Sequence, residues 1–120
     1  MWIYSQATGR LSLNGEPVGT GYSGKGTGLN NPEMQDTADV GPIPQGTYTI
    51  GPAFLDPGKG PVVMRLTPND GTKDFGRSGF LMHGDNQLLN HSASEGCIVT
   101  ARGIREVVSA SDDRQLTVIE

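Results

Sequence analysis

The sequence predicts a mainly β domain with one short helix, and three observations carry that prediction. Glycine and proline account for 18 and 8 of the 120 residues, about twice their usual share. They punctuate short apolar runs instead of filling a low-complexity tract, which is the composition of a turn-rich sheet. The apolar runs are only a few residues long, and each is bounded by Gly, Pro, Asn or Asp. Only one stretch has helical spacing. Leu, Ile, Val and Phe supply 26 residues, above the level that signals disorder, and the length fits one domain over residues 1–120.

From the N-terminus, Trp2 to Gln6 and Leu11 to Leu13 read as strands separated by Ala7-Thr8-Gly9-Arg10. Asn14-Gly15 follows as a two-residue hairpin turn, so the chain begins as a β-meander. Gly19 to Pro32 holds five glycines and two asparagines with little to bury, which predicts a long exposed loop. Thr47 to Ile50, Pro61 to Leu66, Phe80 to His83, Cys97 to Thr100 and Gln115 to Ile119 are the remaining strands. The helix is Ala101 to Ala110, with Ile104, Val107 and Val108 at i, i+3 and i+4 and Thr100 placed to cap its start. There is no internal repeat and no heptad pattern.

Several function classes are excluded. The nine basic residues are scattered singly in a chain of net charge −4, so nucleic acid lacks the Lys/Arg stripe that would hold its phosphates. The glycines form no GxGxxG before a helix, and no GKS or GKT follows them, so a nucleotide loop is not indicated. No apolar run approaches the roughly 20 residues that span a bilayer, so membrane insertion is not expected. Met1 to Arg10 has neither a basic start nor a continuous apolar segment, and the chain reads as made in the cytoplasm without a secretory signal. A single cysteine rules out an intrachain disulfide and a four-cysteine zinc site.

The reactive side chains converge on one span, FLMHGDNQLLNHSASEGCIV, which holds His83, His91 and Cys97; the chain has no other His or Cys. A cysteine nucleophile needs a base or cation to hold it as thiolate at neutral pH, and an imidazole serves as both. His83 ends one apolar run and Cys97 begins another, so pairing of the two strands would set base beside nucleophile. Gly96 lacks a Cβ and allows a substrate carbonyl to approach the backbone, where the Cys97 N–H and a neighbouring amide would meet an oxyanion. Ser94 and Gly84 flank the same pocket. Asp85 fits a solvated turn carboxylate better than an orienter of His83. His91 reads as an exposed loop residue, with contact to substrate the alternative for it as for Asp85 and Arg102. His83, Asp85, His91 and Cys97 can all bind metals but have no standard zinc spacing, so neither metal nor other cofactor is expected. The bland alternative is a buried structural cysteine and a satisfied strand-end histidine.

The order His83-Gly84, then Ser94-Glu95-Gly96-Cys97-Ile98 with Cys97 fourteen positions after His83, resembles the signature of the L,D-transpeptidase (YkuD-like) catalytic domain. Val40-Gly41-Pro42-Ile43-Pro44-Gln45-Gly46-Thr47-Tyr48-Thr49-Ile50 resembles the TPxGxF/YxI segment upstream of that site. The likeness is closer to the type VI secretion effectors with an L,D-transpeptidase-like domain, and it runs from the first strand through YSGKGTGLNNP to SEGCIV.

The resemblance implies a β-sandwich or barrel-like fold, Cys97 as acyl-accepting nucleophile and His83 as its base. It implies peptidoglycan tetrapeptide stems as substrate, L,D-carboxypeptidase or L,D-transpeptidase chemistry with D-amino acid exchange, and delivery by the type VI machinery into a target periplasm. A cognate immunity protein would be the partner in the producer. The chain departs from the larger family twice: Glu95 replaces the second His, and Val99 replaces the Arg that follows Cys-Ile, a cation that Arg102 is placed to supply. The rival readings are another Cys/His peptidoglycan amidase or endopeptidase, and a non-catalytic peptidoglycan-binding module.

Overall fold

The computed structural model describes residues 1–85 and 96–120. Among them ten strands and one α-helix follow in the order β1 (Trp2–Ser5), β2 (Arg10–Leu13), β3 (Glu16–Thr20), β4 (Tyr22–Ser23), β5 (Gly46–Ile50), β6 (Phe54–Asp56), β7 (Gly60–Pro68), β8 (Leu81–His83), β9 (Ile98–Val99), α1 (Arg102–Ala110) and β10 (Gln115–Ile119). Their lateral order is β3-β2-β1-β10-β5-β7-β8-β9-β4, with β6 pairing β7 off that path. The two ends of this order, β3 and β4, are separated in the chain only by Gly21. The sheet therefore curls until its edges meet, giving a nearly closed barrel-like layer. Glycines make the seam possible: a Cβ on Gly9 would lie 2.0 Å from the Gly21 carbonyl oxygen, and one on Gly21 would lie 2.3 Å from that of Val99.

The predicted meander is present. β1 alternates between buried and half-buried residues, so Trp2 and Tyr4 enter the core while Ile3 and Ser5 are only partly covered. Asn14 and Gly15 take positive φ values of 50° and 87°, as a tight two-residue hairpin turn requires. The strand after it, β3, is not among those expected from the sequence; its Pro17 is tolerated because β3 is an edge. β10 runs parallel to β1 and antiparallel to β5, with Leu116 and Val118 facing the core beside Tyr48 and Ile50. Met64, Leu66, Phe80, Met82 and Ile98 continue the same core across β7, β8 and β9.

Three expectations need correction. The segment from Gly19 to Pro32 is not an exposed loop, because Tyr22 and Ser23 form β4 against β9 and are buried. The Ser23 hydroxyl accepts from the Ile43 N–H at 2.8 Å, and Lys25 N–H donates to the Val40 carbonyl. Its glycines allow close packing here, where composition alone suggested solvent. The helix starts one residue late, with Ala101 at its N-cap and no side-chain cap from Thr100, whose hydroxyl is buried without a partner. Its buried face is Arg105 and Val108 with Ile104 beside them, while Val107 is half exposed. A guanidinium long enough to reach backbone carbonyls takes the place expected for an aliphatic residue. No helix among the described residues is long and apolar enough to cross a membrane.

Candidate active site

β8 and β9 are parallel neighbours in the register Met82↔Ile98 and His83↔Val99. Met82 and Ile98 belong to the main core cluster. Strand alternation then turns His83 and Val99 to the other face, and Cys97, the residue before β9, falls on that face with them. Extending the ladder by one residue separates the Cα atoms of His83 and Cys97 by about 8 Å, one strand across and two residues along. His83 is almost fully buried and Cys97 partly exposed. The thiol lies 3.8 Å from the Gly79 carbonyl oxygen.

His83 Nδ1 lies 2.7 Å from the Gly84 carbonyl oxygen. A carbonyl only accepts, so Nδ1 carries the proton and Nε2 presents its lone pair. Nε2 is buried and has no hydrogen-bond partner among the described residues. Burial pushes the imidazole below its ordinary pKa, the Gly84 bond opposes this, and the Lys59 and Arg105 charges depress it further. Burial thus favours His83 as a neutral imidazole, on the sheet face it shares with Cys97. The structure puts the two side chains on one face of neighbouring strands, diagonally offset by two residues, without a hydrogen bond between them; such bonds are often long or unformed before substrate binds.

On the far side of Cys97 stands a residue the sequence reading missed. Arg77 is buried, with Nη1 donating to the carbonyls of Gln35 and Pro42 (2.5 and 2.8 Å) and Nη2 to that of Gly41 at 2.9 Å. Its guanidinium also lies 5.7 Å from the Phe80 ring centre. Gly96 has φ +120°, and a Cβ there would lie 2.2 Å from Arg77 Nη2. The cation therefore fills the space beside the residue preceding the thiol. Burial lowers the guanidinium pKa, while Tyr48, Asp39, Cys97 and Asp36 favour its charged form. The upstream segment singled out in the sequence contributes the cradle, since Gly41 and Pro42 supply two of its three carbonyls.

At the other ends of β8 and β9 a cleft of about 810 Å³ opens between β4, Asp85, Lys59 and the start of α1. Gly84, Asp85 and Arg102 line it. Asp85 accepts from the Tyr22 hydroxyl at 2.6 Å, so the carbonyl of Gly84, and not this carboxylate, orients His83. Arg102 is largely exposed and lies 3.8 Å from Glu106, one helical turn on. It is Arg77, not Arg102, that sits beside Gly96 and Cys97. Ser94, His91 and Glu95 lie outside the described residues. No cluster of metal-ligating side chains occurs among the described residues.

Nothing local in DFGRSGF marks Arg77, because its partners are 35 to 42 residues away. Arg105 offered a signal: a charge three residues before Val108 interrupts the helix face expected to be apolar.

A profile of the "Tlde1 domain" family matches residues 18–118. No curated protein matches the sequence. Three solved structures share the fold at 15–16% identity: Bdellovibrio bacteriovorus Bd1075 (TM-score 0.65, 15%), the Ldtfm-avibactam carbamoyl enzyme (0.58, 15%) and an L,D-transpeptidase from Mycobacterium smegmatis (0.55, 16%). The alignments cover 99–100% of this chain and 47%, 48% and 58% of those chains, respectively. The chain thus spans about half the length of the structures it resembles.

Proposed function

Since the chain belongs to the Tlde1 domain family, a family of type VI L,D-transpeptidase effectors, we propose that it is a cysteine enzyme acting on the tetrapeptide stems of peptidoglycan. The observation that carries this reading is the unpartnered Nε2 of a neutral His83 on the same sheet face as Cys97. Nε2 takes the thiol proton, and the sulfur attacks the carbonyl before the terminal D-amino acid. The tetrahedral oxyanion is met by backbone N–H groups around Gly96 and Cys97. As the C–N bond breaks, imidazolium returns its proton to the leaving amine and a thioester remains on Cys97. Water then gives carboxypeptidation, a D-amino acid gives exchange, and a second stem gives a cross-link. Arg77 supports the negative sulfur from the side opposite His83. Residues 1–120 act as one catalytic unit, supported by the position of β1 deep inside the strand order.

Mass spectrometry of purified muropeptides incubated with the protein tests the chemistry. Loss of the terminal D-residue, or its exchange, is expected with the unchanged chain and absent with Cys97→Ala; equal activity of that variant overturns the mechanism. As an antibacterial effector it would be tolerated in the cytosol and toxic when fused to a periplasmic signal peptide. That toxicity would require Cys97 and be relieved by an immunity protein from the producer. Equal harm from the cytosolic form would point to a different target.

A further inference from the structure

We propose that the cleft at the C-terminal ends of β8 and β9 is a carboxylate-binding subsite whose principal donor is Arg105 Nη2. The identity of the ligand, a carboxylate of the peptide stem, rests on the function proposed above; the site itself rests on the following geometry.

Arg105 is 6% exposed, yet it lines the cleft. Its Nε donates to the Thr100 carbonyl at 3.1 Å, and Nη1 donates to the carbonyls of Pro61 and Val62 at 2.7 and 3.1 Å. Nη2 has no acceptor among the described residues and, unlike the Nε and Nη1 edge, is left open to the cleft. It sits against Gly84, where a Cβ would come within 2.8 Å of it. The carbonyls fix the guanidinium so that its remaining edge is presented ready-made, and a carboxylate is the acceptor whose geometry fits that edge.

Two independent features point the same way. Thr100 lines the same cleft and keeps its hydroxyl buried without a partner. The nine-residue helix α1 begins at the cleft with Ala101 and Arg102, and its N-cap contributes no side-chain bond to the first-turn N–H groups. Charge agrees as well: among the described lining residues Lys59, Arg102 and Arg105 face one carboxylate, Asp85, which the Tyr22 hydroxyl engages, while Glu106, which pairs with Arg102, does not line the cleft. This is a positive cleft on a chain of net charge −4. A carboxylate there would lie next to His83, so the subsite would hold the stem beside the catalytic base.

The stem has two sources of that group, its C-terminus and an acidic side chain, and binding of small probes separates them. The protein would be titrated with N-acetyl-D-alanine, N-acetyl-D-alaninamide and the α-amide of N-acetyl-D-glutamate, following backbone and arginine side-chain resonances by NMR. The expected result is saturable shifts at Gly84, Asp85, Thr100, Arg102 and the Arg105 side chain with at least one acid and none with the alaninamide. Response to N-acetyl-D-alanine assigns the C-terminus, and response to the glutamate amide alone assigns a side chain. Arg105→Gln should weaken binding at least tenfold. Should that variant fail to fold, Ala101→Trp decides, since it fills the cleft from an exposed position and leaves the carbonyl bonds of Arg105 intact; it too should abolish the shifts. Equal binding of acid and amide, shifts elsewhere, no binding, or unchanged binding in Ala101→Trp overturns the subsite. Because the readout is binding and not turnover, muropeptide activity with no carboxylate binding would sink the subsite alone. Carboxylate binding without muropeptide activity would sink only the proposed chemistry.

Discussion

The two ends of the parallel pair β8 and β9 are built alike and do opposite things. At one end Arg77 is held by three backbone carbonyls and packs against Gly96, next to Cys97. At the other, Arg105 is held by three backbone carbonyls and packs against Gly84, next to His83. Each glycine leaves room for a guanidinium that a Cβ would strike. The charge is the same, but its neighbour differs. A cation beside sulfur favours the thiolate, whereas a cation beside imidazole disfavours the imidazolium. Arg77 thus favours ionised Cys97, and Arg105 favours a neutral His83. A buried charge acquires its role from the group it faces.

The largest effect expected is at the proposed reacting groups. His83→Ala should lower muropeptide turnover at least about a hundredfold, as removal of a general base usually does, while His91→Ala should retain most activity in the same mass-spectrometric assay. Reversed losses would mean that the other histidine is the base. At the Arg77 end, Arg77→Gln should slow iodoacetamide alkylation of Cys97 at neutral pH severalfold, because the thiolate loses a neighbouring cation. Arg77→Lys should recover part of that rate because it keeps the charge. An unchanged rate in a folded Arg77→Gln chain would leave Arg77 only a structural brace.

The comparison also predicts unequal tolerance at the two glycines. Gly96→Ala combines φ +120° with a 2.2 Å approach to Arg77, whereas Gly84→Ala meets only Arg105 at 2.8 Å. Denaturant midpoints should place Gly96→Ala lower, by an added strain of about 1–2 kcal/mol. Equal midpoints would mean that the Arg77 side yields as readily as the Arg105 side.

The smallest effect is on pH dependence. The folded pKa of His83 lies below its ordinary value of 6.5, first because of burial and then because of nearby cations such as Arg105. Between the two values the unfolded chain binds more protons, so stability falls as pH drops through 6.5 and levels off below the folded value. His83→Gln should flatten that part of the curve, and Arg105→Gln, which removes one depressing charge, should narrow its window. The dependence of unfolding free energy on pH between 4 and 8, an interval of roughly physiological reach for histidine, checks both. A curve unchanged by His83→Gln would mean that the imidazole titrates as it does in the unfolded chain.

Local chemistry alone made much of this molecule legible. Short apolar runs bounded by turn residues marked Trp2 to Gln6 and Gln115 to Ile119 as strands and Asn14-Gly15 as a turn, because these signals lie within two to five neighbouring residues; which side of each strand faces the core was decided by the fold. The single Cys, the His before it and the intervening spacing drew attention to the β8–β9 pair for the same reason. Long-range packing decided the rest. β4 emerged from a glycine-rich stretch because β9 and the 40–43 segment were there to receive it. Pro17 was tolerated because β3 became an edge, and Arg105 took a place on the buried face of α1 because β7 offered it two carbonyls. Arg77 is the clearest case: its meaning lies in three carbonyls some 40 residues upstream and a glycine 19 residues downstream, and only the folded chain gathers them around one cation.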